Sequence, residues 1–177
     1  MFKGQKKSSL FGEQMVVKSI EKLFEHELKD IYFAEHELVK ALKELEKEAL
    51  DDKIKEAFAK HRQETLNQIK RLERVFMSIE KKAQKQNCAG ILGLIKEKKD
   101  FSKEKPSKEV LEVFNLTAAM KAERYEISAY ESLIRMANQM ELAEAVEELE
   151  QNLEEEIGAL EKLESFASEK EIPSDNQ

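Results

Sequence analysis

Four long stretches of this sequence carry an apolar stripe at helical spacing, and each stripe is interrupted near its middle by a charged or polar residue. In residues 113–137, Val113, Leu116, Met120, Ile127, Tyr130, Ile134 and Ala137 share one face, Glu123 takes the missing position and Glu126 follows one turn on. In residues 15–49 the set Phe24, Leu28, Ile31, Leu38, Leu42 and Leu45 leaves a gap that Glu35 fills. In residues 53–82, Ile54, Ala57, Phe58, Leu72, Val75 and Ile79 flank a centre of His61, Glu64 and Gln68. In residues 141–167, Leu142, Val146, Leu149, Leu153, Leu160 and Leu163 surround Glu156. A charge inside a buried stripe costs several kcal/mol unless something compensates it. The chain must therefore either bring its four interruptions to a common partner or leave each carboxylate protonated or paired with arginine.

The rest of the sequence fits helices. Charged residues make up 38% of the 177, with only five Gly, two Pro and no Trp, which predicts an all-α fold. Leu50-Asp51-Asp52 breaks the first pattern and offers an aspartate cap, and Asn138-Gln139-Met140 breaks the third, so each flanks a tight antiparallel pair. Between the pairs, residues 84–106 hold Cys88, Gly90, Gly93 and the apolar run Ile91, Leu92, Leu94 and Ile95, predicting a short helix inside a long crossover that ends at Pro106-Ser107. The predicted organisation is a tail at 1–14, a four-helix bundle of two antiparallel pairs over 15–167, and a second tail at 168–177. A net charge of -7 argues against a nucleic-acid surface. One cysteine can form neither an internal disulfide nor a thiolate cage, and neither a membrane span nor a secretory signal is expected. The expected compartment is the cytoplasm.

Register selects among the glutamates. Glu35 lies 15 positions before Leu50 and Glu64 lies 13 after Asp51, a mismatch of about 3 Å along the axis. Glu27 lies 23 before Leu50 and misses Glu64 by about 15 Å, which removes it from the set. Glu123 and Glu156, each 16 positions from the second turn, are level. The expected ligands are Glu35, His61, Glu64, Glu123, Glu126 and Glu156. Carboxylates with one imidazole suit Fe(II) or Mn(II) before Zn(II), and so many negative charges call for two divalent ions.

The run from His26 through Glu35, the segment His61-Arg62-Gln63-Glu64-Thr65, Glu123-Arg124-Tyr125-Glu126 and Leu153-Glu154-Glu155-Glu156 resemble the ferritin-like stress proteins of the YciF type, and through them the wider ferritin and rubrerythrin group. The resemblance implies a ferritin-like four-helix bundle with a carboxylate-bridged di-iron centre, reduction of O2 or peroxide, and pairing into a homodimer. The group's usual signature is one Glu on each of two helices and Glu-x-x-His on the other two. This chain has His61-x-x-Glu64 in reverse order and Ala159 where the fourth helix would place a histidine. Cys88 alone cannot supply an iron–thiolate electron source, so redox chemistry would need an external electron donor. Cover for the run Ile91 to Ile95 is a second reason to expect a dimer. The competing expectation is a structural bundle whose metal, if any, only stabilises it.

Overall fold

The structure is a computed structural model and describes residues 18–170; the expected tail at 1–14 and residues 171–177 lie outside the described residues. The described residues form five helices and no strand: α1 (Ile20–Glu48), α2 (Asp52–Ser78), α3 (Ala89–Lys103), α4 (Lys108–Gln139) and α5 (Ala143–Glu169). The first helix begins at the Ser19 cap, whose side chain accepts from the Lys22 amide at 3.4 Å, rather than near residue 15. Asp51 caps α2 (2.8 Å to the Lys53 amide) and Ser107 caps α4 (3.2 Å to the Val110 amide), each satisfying an amide that the helix leaves free. Cys88 caps α3 through its sulfur, 3.3 Å from the Ile91 amide. The second helix stops at Ser78, short of residue 82, and Glu80 takes a left-handed φ of 56° just beyond it. Lys105 and Glu141 do the same beyond α3 and α4. These left-handed residues close the helix ends where glycine would be usual.

The long helices pack α1 on α2 and α4, and α5 on α4 and α2, while α3 lies against α4 and α1. Tyr32 donates to Glu73 at 2.9 Å and Arg62 donates to Glu46 at 3.2 Å, so α1 and α2 run in opposite directions. Tyr130 with Asn152 and Arg124 with Glu164 show the same for α4 and α5. The apolar core is split. One cluster contains Phe24, Leu28, Ile31, Leu72, Phe76, Leu133 and Leu149; the other contains Leu42, Leu45, Ile54, Phe58, Leu116, Leu163 and Phe166. Each fully buried Leu, Ile or Phe contributes about 1.5–3 kcal/mol, and the two clusters clamp the helices on either side of a polar layer.

The inner face of α4 is rotated from the predicted stripe. Asn115, Leu116, Ala119, Ala122, Glu123, Glu126, Tyr130 and Leu133 are buried, while Val113, Met120, Ile127 and Ile134 are half-buried. The cause is that α4 touches α1, α3 and α5, so its covered arc is wider than one stripe. On α5 the buried line runs through Asn152 rather than Leu153.

Within the segment between α2 and α4, the Gln86 amide donates to the Lys29 carbonyl at 3.2 Å. Cys88 Sγ lies 2.9 Å from the Tyr125 hydroxyl, which donates to Asp30 Oδ2 at 2.9 Å, so the thiol is the donor to the phenol oxygen. Burial pushes the Cys88 thiol above its ordinary pKa. Ile91 is fully buried and Leu94 and Ile95 pack on the core, so the apolar run is covered by its own chain apart from Leu92. A Cβ on Gly90 would sit 2.8 Å from Tyr125 Cε2. Gly90→Ala is therefore expected to displace the Tyr125 ring, break its bridge to Asp30 and cost about 1–3 kcal/mol in denaturant unfolding.

Candidate metal centre

Between the two apolar clusters, α1 supplies Glu35, α2 supplies His61, α4 supplies Glu123 and Glu126, and α5 supplies Glu156. All five are buried, the four carboxylates to within 2% of complete exclusion from solvent. Their donor atoms fall into two groups, His61–Glu123–Glu156 and Glu35–Glu126–Glu156, in each of which the atoms lie within 4.8 Å of one another. Glu156 belongs to both. His61 Nε2 is 3.3 Å from Glu123 Oε2 and 3.4 Å from Glu156 Oε2. The sixth expected ligand, Glu64, is placed differently: it lies on the far side of the imidazole, 3.6 Å from Nδ1, a quarter exposed and paired with Lys60 at 2.7 Å. Glu27 belongs to neither group.

Both oxygens of Glu156, Oε2 of Glu35, Oε2 of Glu123 and Nδ1 of His61 are buried without a hydrogen-bond partner. Buried polar atoms are almost always satisfied, so four unpartnered carboxylate oxygens converging in one layer fit a cation rather than a packing defect. Arginine pairing is excluded as compensation, because His61 is the sole cationic group in ion-pair contact with these four glutamates among the described residues.

Burial pushes Glu126 and Glu156 well above the ordinary carboxylate range, and Glu156 and Glu123 respectively, as carboxylate neighbours, push them further. Burial also lifts Glu35, to about 7, against the Tyr130 hydroxyl and His61, which favour its ionised form. Glu123 goes the other way: burial would raise it, but the adjacent His61 outweighs burial and lowers it. His61 itself is raised, because Glu123 and Glu156 outweigh the desolvation that would hold the ring neutral. Glu64 is lowered to about 2, by His61 first and then, against partial burial, by Lys60. Burial and mutual repulsion thus favour protons on the imidazole and among the carboxylates when no cation balances them.

Around it runs a polar chain that touches all four long helices. Tyr130 donates to Glu35, the Asn152 amide donates to the Tyr130 hydroxyl at 3.0 Å, and Arg71 binds Asn152 Oδ1 and Glu155. This chain fixes the Glu35 oxygen Oε1 and leaves Oε2 free. The apolar stripes point to Tyr130 and Gln68 but not to Asn152, which lies on the buried line Ala145, Leu149, Asn152, Glu156, Leu163. Tyr130→Phe strips a donor from Glu35 and an acceptor from Asn152 while keeping the ring. The expected cost is about 1–3 kcal/mol, read from the denaturant midpoint.

Residues 19–174 match the family described as a domain of unknown function, DUF892. The chain is 35% identical over 154 residues to protein YciF of Escherichia coli strain K12, covering 86% of this chain and 93% of that one. The crystal structure of YciF, described there as a stress protein, superposes with a TM-score of 0.83 at 34% identity, covering 87% of this chain and 98% of the other. YcfI from Rhodopseudomonas palustris, a suggested structural protein, gives 0.84 at 35% identity over 88% of this chain and 98% of its own. With similarity extending over nearly the whole bundle, the chain belongs to the YciF-like DUF892 family.

Proposed function

We propose that this chain is a ferritin-like protein of the stress response that binds two divalent ions, iron before manganese, between its four long helices. The observation that carries the reading is the pair of donor groups hinged on Glu156 with their unpartnered oxygens. Four buried carboxylates bear four negative charges when ionised, and two divalent cations balance them; one cation would leave two uncompensated. Glu35, Glu126 and Glu156 would hold one ion, and His61, Glu123 and Glu156 the other. Glu64 lies behind His61, where it favours a proton on Nδ1 and leaves Nε2 as the donor directed into the site.

The ferritin-like arrangement has support from helix directions. Arg71 with Asn152 and Arg74 with Glu148 make α2 and α5 opposite in direction, as α4 and α5 are, so α2 and α4 run the same way. The segment carrying α3 would then cross the length of the bundle between two antiparallel pairs.

Bound as Fe(II), such a pair supplies electrons for reduction of O2 or peroxide. The protein's part is to hold Glu35 through Tyr130, to keep solvent from the carboxylates and to carry protons displaced from His61 and the glutamates. Electrons would come from an external donor, since Cys88 is buried and stands alone. The structural role suggested for the R. palustris relative favours a second reading, in which the ions only hold the bundle together. Anaerobic titration with Fe(II) followed by oxidant separates the two. Two ions per chain that oxidise rapidly with O2 or peroxide support the enzyme; two inert ions support the scaffold; a chain that takes up neither iron nor manganese overturns both.

A further inference from the structure

A second approach to the polar layer has a different chemistry. Beneath α3, between α1 and α4, lies a cavity of about 610 Å³ counting its open mouth. Its walls are apolar: Leu42 and Leu45 of α1, Ile91 and Leu94 of α3, Ala119 and Ala122 of α4. The space exists because α4 presents alanines opposite the large side chains of α3. Its inner end is formed by His61, Glu123 and Glu126. Its rim carries Lys98 and Lys99 against one carboxylate, Glu44. Lys98 is engaged with Glu48 at 2.7 Å, whereas Lys99 is exposed and has no ion-pair partner among the described residues.

An apolar cavity that a single alanine-to-leucine change could fill costs stability, by tens of cal/mol for each Å³ left open, so its upkeep points to an occupant. In the metal-free chain the inner end offers an anionic head group only carboxylates and an imidazole already paired with Glu123, while the rim offers the Lys99 nitrogen, unpaired among the described residues. Centres of water-sized groups have ≈ 50 Å³ in the cavity, room for about three to five methylene-sized units, which favours a narrow chain over a bulky body. We infer that this cavity binds an unbranched aliphatic carboxylate, its tail directed at the His61–Glu123–Glu126 end and its head group at Lys99.

The test is calorimetric titration of the full chain, freed of metal by chelation because ions held by His61, Glu123 and Glu126 would attract the head group, with straight-chain carboxylates from hexanoate to dodecanoate. Affinity should rise about fourfold for each methylene that enters the cavity and then level off. Decanoate should bind more tightly than decylammonium. Ala119→Leu should weaken decanoate at least tenfold while leaving the melting temperature unchanged or higher, and Lys99→Met should weaken decanoate by about two- to fivefold without affecting decan-1-ol. A decanoate bearing a terminal diazirine should label peptides of α1, α2, α3 or α4 that line the cavity, His61 at its inner end included, a readout that needs no variant to fold. The inference is overturned by absence of saturable binding, by tighter binding of the ammonium, by unchanged affinity in a folded Ala119→Leu chain, or by label placed outside those helices.

Discussion

Glu156→Gln is expected to remove both metal ions at once, because Glu156 is the one residue shared by the two donor groups. The loss should exceed the roughly hundredfold weakening that follows from removing a supporting hydrogen-bond partner of a ligand. Glu27→Ala, on the same helix as Glu35 but outside both groups, should leave metal content unchanged. At alkaline pH, where Glu156 would otherwise ionise, the same Glu156→Gln change should stabilise the metal-free chain by about 1–3 kcal/mol, since it deletes a fully buried carboxylate held next to Glu123 and Glu126. Elemental analysis and a denaturant melt of the chelated protein check the two halves. A variant that still carries two ions would sink the shared-ligand reading, and a metal-free variant less stable than the parent would show that Glu156 is satisfied by something other than metal.

The second large effect is on pH. Glu35, Glu126 and Glu156 have folded pKa values above the unfolded carboxylate value of about 4.3. Groups raised in this way contribute stability that is fully present below the unfolded value and is lost as pH rises through the folded one. For Glu35 that window runs from about 4.5 to about 7 and is worth on the order of 3 kcal/mol. His61, also raised, adds a loss of the same sign starting above its unfolded value of about 6.5. Glu64 and Glu123 are lowered, so their contribution is present above the unfolded carboxylate value and is lost only as pH falls through their folded values. Between pH 5 and 8 the raised groups decide the slope, and the metal-free chain should melt at progressively lower temperature. Ions reverse the trend, because ligands bind metal only after losing their protons. The rise in melting temperature on adding Fe(II) or Mn(II) without oxygen should be larger near pH 7.5 than near pH 5. An equal rise at both, or none at either, would mean that these glutamates do not bind the ion.

What could be read in the sequence follows from periodicity. Glu35, Glu123 and Glu156 each fill a vacancy in an apolar stripe, and a stripe position is a burial statement once the helix packs on both sides. The turn at Asp51 and the cap at Ser107 were legible because their chemistry is local. Glu64 was not. It is one turn from His61, but the buried line of α2 runs His61, Thr65, Gln68, Leu72, and at 100° per residue Glu64 falls off that line toward the open groove with α5. Nor were the pairing of Tyr130 with Asn152 or the rotation of α4, which depend on contacts between helices distant in sequence. The stop of α2 at Ser78 is set by a left-handed Glu80, a conformation that nothing in Ile79-Glu80-Lys81 announces.

Of the five helices, α3 buries one side chain fully, Ile91, where each of the others buries at least six. Beyond that residue it is held by half-buried Leu94 and Ile95, by Phe101 stacked on Phe114, by the Cys88–Tyr125–Asp30 bridge at its start and by the pairs Lys98–Glu48 and Lys121–Glu97. With only one fully buried side chain, α3 separates from the bundle at less cost than global unfolding. In hydrogen-exchange terms its amides belong to a lower-stability unit than those of α1 and α4, and they should exchange by local opening while the bundle amides wait for the whole fold to open. Each opening uncovers the face of α4 that carries Ala119, Ala122 and Glu123. The face of α4 next to the polar layer is thus covered in part by the helix with the fewest buried side chains.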